Sequence, residues 1–456
     1  MPRKIDALLD SVAREITPSP EEVVREKAFA AQIAKSISAA LKDPEAAIRF
    51  VGSAARDTGL RGDADIDLFI QFPRRHDEDY IVKKAFDAAR AAVQAEWVMH
   101  YAEHPYLQAR VEGFTVEVIP CFHYEANTEL KSAVDRSPLH MTYLQEKLSR
   151  LQRRDVRLLK QFLKNAGLYG AEISIQGFSG VLCEYLILNY RSFDNLVAQA
   201  AKWKPPVFVD IEGFYLSSKP EFGSPLVLID AIDRNRNVAA VVSETNFHRF
   251  VSLCQAFVRA PDRKLFFRPK PAPAKPEQVK KRLKERGTSF LLAAFEKPNL
   301  VEDILDPQLK KTRLALVRHL ELAGFTVVDS MHYTAGRCGI LCEFASFTRP
   351  RVNVLQGPPA SDEQSVLRFA KAHPRALRGP YVKGDRVYAE EPAAFTDARL
   401  LCLKLIKRPE DFGAASFVSK PLKSATLLED EEIARLPADE LAAIAAYLGK
   451  REPWLS

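Results

Sequence analysis

Asp65 and Asp67 stand two positions apart in the stretch FVGSAARDTGLRGDADIDLFIQF, interleaved with Ile66 and Leu68. In an extended strand alternate side chains share a face, so the two acids converge on one side while Ile66 and Leu68 turn toward a core. Like charges this close repel, and each carboxyl tends to keep its proton unless a cation lies between them. Mg²⁺, which takes carboxylate oxygens and keeps waters and phosphate oxygens as its other ligands, meets that demand. A third acid is available in FTVEVIP, where Glu117 is flanked by Val116 and Val118 on the opposite face. Such a set can make an attacking hydroxyl more acidic at one metal and hold a triphosphate leaving group at another. The competing reading of the aspartates is a solvated strand edge.

Upstream, Gly52 and Ser53 follow the strand-like IRFV and are expected to open a helix. Exposed backbone N–H groups there, the Ser53 hydroxyl and Arg56 could cradle phosphates. No Gly-Lys-Ser/Thr follows, so the turn is not a Walker loop.

These residues need elements to hold them. Residues 1–140 mix the helical pattern EEVVREKAFAAQIAKSISAAL with the strand-like runs AIRFVG, DIDLFIQF and FTVEVIPCF, which is an α/β unit around a small sheet. Residues 141–267 turn mostly helical. LSRLQRRDVRLLKQFLKNAGLYG is an amphipathic helix stopping at Gly167, followed by FSGVLCEYLILNY and FHRFVSLCQAFVRA. FRPKPAPAKPEQ, rich in Pro and Lys, marks a stiff boundary. Beyond it, 268–392 alternates strands and helices in a βαββαβ order, SFLLAAFE through RVYAEE, read as one sheet covered by helices on one face. The remainder, 393–456, looks like a helical tail.

The 456 residues exceed one core, and 47% hydrophobic with 27% charged is a globular composition. No apolar run reaches the roughly 20 residues that span a bilayer, and a cytoplasmic protein is expected. The six cysteines are scattered among apolar neighbours and read as reduced core residues; CGILC lacks a nearby His or second Cys pair, which disfavours zinc. A net charge of +7 favours a polyanionic partner without identifying one.

GSAARDTGLRGDADIDLFI resembles the signature of the polymerase-β-type nucleotidyltransferases. HPYLQARVEGFTVEVIPCF, RDVRLLKQFLKNAGLYGAE, GFSGVLCEYLI, DRNRNVAAVVS, RPKP, KERGTSF, QGPP and RGPYV, in that order over most of the chain, resemble the archaeal-type class I CCA-adding enzymes. The resemblance implies a head, neck, body and tail, and template-independent addition of C, C and A to the 3′ end of tRNA from CTP and ATP. It makes Asp65, Asp67 and Glu117 the catalytic metal ligands, with Mg²⁺ as the ion. The family usually has Asp at the third position, so Glu117 departs from it by one methylene. His140, Lys160 and Tyr169 match family positions that contact the triphosphate and sugar of the nucleotide, and Arg236 one that lines the base pocket. Arginine donors meet the acceptor edge of cytosine and the ring nitrogens of adenine, while uracil and guanine present an N–H. The family also suggests a homodimer.

Phosphates of an RNA stem are expected on the basic helix with Lys280 and Lys281, and on Arg378, Tyr381 and Lys383 near Gly and Pro turns, with little sequence preference. A solvated face is the alternative for each of these charges. Two rival functions remain in view: a poly(A) polymerase-like enzyme of the same superfamily, and a non-catalytic RNA-binding protein that kept the fold.

Overall fold

The computed structural model describes residues 2–63, 65–101, 104–123, 131, 133–215, 219–268 and 273–455. Pro269–Ala272, within the Pro/Lys-rich boundary, lie outside the described residues. The chain forms two compact units, Met1–Pro269 with Glu452–Ser456, and Lys270–Arg451.

In the first unit, α1 (Pro2–Ile16) precedes α2 (Pro20–Leu41), which starts on a capping box between Ser19 and Glu22. Phe29, Ile33, Ile37 and Leu41 of α2 recur at helical spacing and are buried. Then follow β1 (Ala47–Val51), α3 (Gly52–Ala55), β2 (Asp65–Phe72), α4 (Glu78–Ala92), β3 (Val98–Tyr101), β4 (Pro105–Val111) and β5 (Phe114–Phe122). The strands order as β1-β2-β5-β4-β3, with β2 and β5 parallel and the other pairs antiparallel. Ile66, Leu68, Ile70 and Phe72 pack, fully buried, under α2 and α4. On the opposite face the acids occupy the start of β2, and two residues further the same face turns apolar, where Val51, Phe69, Ile119 and Cys121 cluster. That face is a carboxylate site built on an apolar base.

The helical part begins with α5 (Arg136–Lys147) and α6 (Arg150–Ala166), the latter capped by Ser149 and ended by Gly167 in the left-handed conformation. α7 (Gly180–Tyr190), α8 (Phe193–Ala200), the parallel pair β6 (Val207–Asp210) and β7 (Leu226–Ile229), and α9 (Glu244–Arg259) complete it. Phe162, Phe193, Phe257 and Phe266 pack with ring centroids 5.3–5.9 Å apart at its centre.

The second unit contains α10 (Pro276–Arg286), β8 (Ser289–Glu296), α11 (Glu302–Leu322), β9 (Val327–Thr334), β10 (Arg337–Phe344), β11 (Val352–Pro359), α12 (Glu363–Ala372), β12 (Arg378–Lys383), β13 (Arg386–Pro392), α13 (Ala398–Lys407), α14 (Ser416–Leu422), β14 (Thr426–Glu429), α15 (Asp430–Ile433) and α16 (Ala438–Leu448). The elements foreseen in βαββαβ order all form, but they divide between two sheets. One runs β14-β8-β10-β9; RVYAEE, as β13, joins a second, β11-β13-β12. QGPP and RGPYV, expected as turns, are the two edges of that second sheet. Edges tolerate Pro, and the pairing slips at Gln356/Pro359 and Arg378/Tyr381, where the Gly-Pro pairs fall. A Cβ on Gly379, whose φ is +99°, would lie 2.7 Å from the Tyr388 carbonyl oxygen.

Helices cover the larger sheet on both faces rather than one, α11, α13 and α14 on the first and α10, α15 and α16 on the second. The unbroken apolar run FLLAAF in β8 is the pattern of a strand buried on both sides. All six cysteines are free and buried. Among the described residues no helix is long and apolar enough to cross a membrane.

Candidate active site

Parallel pairing of β2 with β5 sets Asp67 directly opposite Glu117 and Asp65 opposite Thr115. Gln108 of β4 donates from Nε2 to Glu117 Oε1 at 2.8 Å and fixes that longer side chain. Gly52, with φ +80°, closes over the acids: a Cβ there would fall 1.8 Å from Asp67 Oδ2. Only glycine satisfies both the backbone angle and the approach.

Burial pushes the Asp67 carboxyl up to about 7, with Glu117 and Asp65 adding repulsion, and Arg56 and Lys160 offsetting part of it. Asp65 is also raised, first by burial and then by Asp63, against a hydrogen bond from Thr115. Among the described residues no three His, Cys, Asp or Glu side chains are gathered closely enough to cage a metal ion. The chemistry of the donors nonetheless fits a hard divalent cation. Facing carboxylates that resist ionising together gain most from a positive charge, and Mg²⁺ completes its shell with water and phosphate rather than with a full protein cage.

Behind the Gly52–Ser53 turn lies a buried ionic cluster. The Ser53 carbonyl accepts from Thr58 N–H at 2.9 Å. Arg56 Nε and the Thr58 hydroxyl both donate to Glu184 Oε1 of α7, at 2.9 and 2.5 Å. Lys160 Nζ donates to the Thr58 carbonyl at 3.0 Å. Arg157 Nε and Nη2 donate to the carbonyls of Gly59 and Asp57 at 2.9 and 2.7 Å. Arg56 and Lys160, foreseen as phosphate ligands, are therefore engaged beneath the turn, at 6% and 2% exposure. Burial pushes the Lys160 ammonium down, and Glu184 opposes that shift. Gly180 admits the Tyr169 hydroxyl and the Lys160 ammonium, 3.3 and 3.7 Å from where its Cβ would stand.

His140 and Arg236 belong to a second cluster, built on Asp230 at the end of β7. His140 Nε2 stands 2.9 Å from both Asp230 oxygens, Arg236 Nη1 donates at 2.9 Å, and the Tyr185 hydroxyl at 3.3 Å. Although burial opposes it, the His140 hydrogen bond and charge, followed by the Ile232 N–H and Arg236, hold the Asp230 carboxyl well below the usual range. His140, at 4% exposure, is spent on Asp230, whereas the Arg236 side chain keeps 32% of its surface open. Glu184 and Tyr185 are neighbours on α7, so one helix reaches both clusters.

The five expected RNA contacts all lie in the second unit. Lys280 pairs with Glu431 at 3.0 Å and Lys281 with Glu285 at 3.7 Å. Arg378 and the Tyr381 hydroxyl both bond Glu390, with the guanidinium 5.1 Å from the Tyr381 ring centre. Lys383 is exposed at the end of β12.

Sequence reasoning missed Glu184, Asp230, Thr58 and Gln108. A signal existed for two of them: a single charge inside the apolar GVLCEYLIL, and one closing LVLID. A lone acid in such a run is costly unless paired.

Three family models match the chain: a nucleotidyltransferase domain over 31–140, the second domain of tRNA nucleotidyltransferase over 154–267, and the C-terminal domain of CCA-adding enzyme over 286–424. Curated relatives are named CCA-adding enzyme. That of Methanoregula boonei is 37% identical over 390 residues, 84% of this chain and 83% of the relative. That of Halobacterium salinarum is 38% identical over 389 residues, 84% and 85% of the two chains. That of Archaeoglobus fulgidus is 34% identical over 395 residues, 86% and 87%.

Proposed function

The chain belongs to the archaeal-type CCA-adding enzymes, and on that premise we propose how its own residues carry out the transfer. It is a tRNA nucleotidyltransferase that adds C, C and A to the 3′ end of tRNA from CTP and ATP. In each step the terminal 3′ oxygen forms a bond to the α-phosphorus, the bond to the β-phosphate bridging oxygen breaks, and pyrophosphate leaves with that electron pair.

Asp65, Asp67 and Glu117 are the groups that would hold a divalent cation, Mg²⁺ on the expectation above, which when bound makes the 3′ hydroxyl more acidic and neutralises charge on the leaving group. The observation that carries this reading is Asp67 facing Glu117 across β2 and β5, with its proton affinity raised and Gly52 packed on its carboxylate. Gln108 orients Glu117, which compensates for the longer arm. Backbone N–H groups of the Gly52–Ser53 turn receive the triphosphate, while Arg56 and Lys160 lend positive charge from beneath it and keep the turn in place. Tyr169 lies beside Lys160 and would meet the sugar or phosphate edge through its hydroxyl. Asp230 clamps Arg236, so that a guanidinium already fixed in orientation can read the base. Residues 1–140 thus supply the chemistry, 141–267 choose the nucleotide, and 268–392 with 393–456 hold the tRNA.

The test is extension of a labelled tRNA lacking its CCA end, with Mg²⁺ and CTP, ATP or both, for the wild type and Asp67→Asn. Growth by two nucleotides with CTP and by three with both, reduced at least about 10³-fold in the variant, is the expected result. No extension by the wild type would favour the RNA-binding alternative, and a long A tail would move the protein to the poly(A) polymerase class.

A further inference from the structure

An open cleft of about 840 Å³ lies within the first unit, and none of the three candidate metal-binding carboxylates lines it. Its walls come from the second half of α1, the start of α2, the loop after α3 and the first turns of α6. Five guanidiniums, those of Arg14, Arg61, Arg150, Arg154 and Arg157, face two carboxylates, Asp10 and Asp57. Asp10 takes Arg154 at 2.6 Å, and Asp57 takes Arg157. Arg61 reaches Glu22 only at 3.6 Å, between half-exposed groups, where such a pair is worth little. Arg14 and Arg150 are exposed and form no ion pair among the described residues.

Two further features give the cleft its chemistry. The N-terminal turn of α6, a helix of 17 residues with no acid in its first turn, opens into it and brings the positive end of a helix dipole, whereas Glu21 and Glu22 already occupy the first turn of α2. Arg150, Arg154 and Arg157 recur at i, i+4 and i+7 along α6, a row about 10 Å long at 1.5 Å per residue. Arg157, 5% exposed and bonded to Asp57 and Gly59, forms the inner end of the row, so consecutive phosphates of a chain would meet Arg150 and Arg154 about one helical turn apart, where a single inorganic phosphate would use only one of them. Beside it Leu151, 72% exposed, with Pro18 and Pro20, offers an apolar shelf against which a sugar or base can rest.

We propose that this cleft is an RNA-backbone site, separate from the catalytic face, that grips a short phosphodiester segment through Arg14, Arg150 and Arg154. The inference rests on the chain's use of tRNA. Arg157, which also holds the carbonyls of Asp57 and Gly59, joins the cleft to the loop that leads into β2.

The experiment compares wild type with Arg14→Gln/Arg150→Gln in equilibrium binding of a tRNA lacking its CCA end across a salt series, alongside steady-state kinetics. Affinity for the tRNA should fall about tenfold, and the slope of log K on log salt should shrink by about one to two, as expected for two lost phosphate contacts. The KM for CTP and kcat at saturating tRNA should stay unchanged. Arg14→Lys/Arg150→Lys, which keeps both charges, should retain the slope. Unchanged tRNA affinity and slope in the Gln variant overturn the proposal while wild-type extension still stands. A raised KM for CTP with unaltered tRNA binding assigns the cleft to a free triphosphate and overturns it equally. A wild type that neither binds nor extends tRNA fails the underlying reading instead.

Discussion

Asp67 illustrates how far one side chain depends on its surroundings. Its spacing from Asp65 is visible in the sequence, but the shift of its carboxyl to about 7 comes from burial and from Glu117, which lies fifty positions away and becomes its neighbour only through parallel pairing. A group whose folded pKa lies above its ordinary 3.8 stabilises the fold fully below that value, and the contribution is lost as pH rises through about 7. With chelator present, this half-buried residue should therefore make the wild type about 1–2 kcal/mol less stable at pH 8 than at pH 5. Asp67→Asn should remove that difference. Mg²⁺ should raise the unfolding temperature of the wild type at pH 8 and leave the variant nearly unmoved. Thermal unfolding at the two pH values checks this, and a pH-independent wild type would show that Asp67 ionises without strain.

At the scale of the element, α7 is the decisive piece. It is apolar along most of its length, and its two consecutive polar contacts, Glu184 and Tyr185, brace the Gly52–Ser53 loop and the Asp230 cluster respectively. Glu184 is fully buried and among the described residues its Oε2 has no hydrogen-bond partner, so its charge depends on Arg56 and Lys160. Glu184→Ala would leave those two cations buried without their counter-charge and should cost about 3–5 kcal/mol, read as a lower urea midpoint. Double variants with Arg56→Met should recover part of the loss, because the stranded charge is then gone. An additive loss in the double variant would mean that the two residues act independently. The helix itself was legible as FSGVLCEYLILNY, but its role was not: periodicity reports a buried element and says nothing about which loop its single acid will meet.

For the molecule as a whole, the chain's end returns to its first unit. Residues 452–456 belong with Met1–Pro269, where Trp454 is 4% exposed, donates to Ser252 Oγ at 3.2 Å, and has Arg249 and Arg268 5.7 and 5.5 Å from its ring centre. Trp454→Ala should destabilise that unit by about 3 kcal/mol and leave hydrogen exchange in β8 and β10 unaltered. Protection lost equally in both would show instead that the units unfold together. Composition and local pattern were enough to determine the bodies of α2 and α6 and the stop of α6 at Gly167, the strands β2, β5 and β8, and the candidate acids, because turn chemistry and periodicity act over a few residues, whereas the burial of β8 on both faces was not foreseen. The resemblance carried by the motifs supplied the reaction. Only the tertiary structure decided that Glu117 faces Asp67, that His140 is spent on Asp230, that Arg56 and Lys160 work from beneath a turn, that the strand order splits into two sheets, and that arginines from α1 and α6 share one cleft. Each of these joins residues far apart in the chain, and such pairings are chosen by burial and charge neutralisation over the whole fold, which no local window of sequence contains.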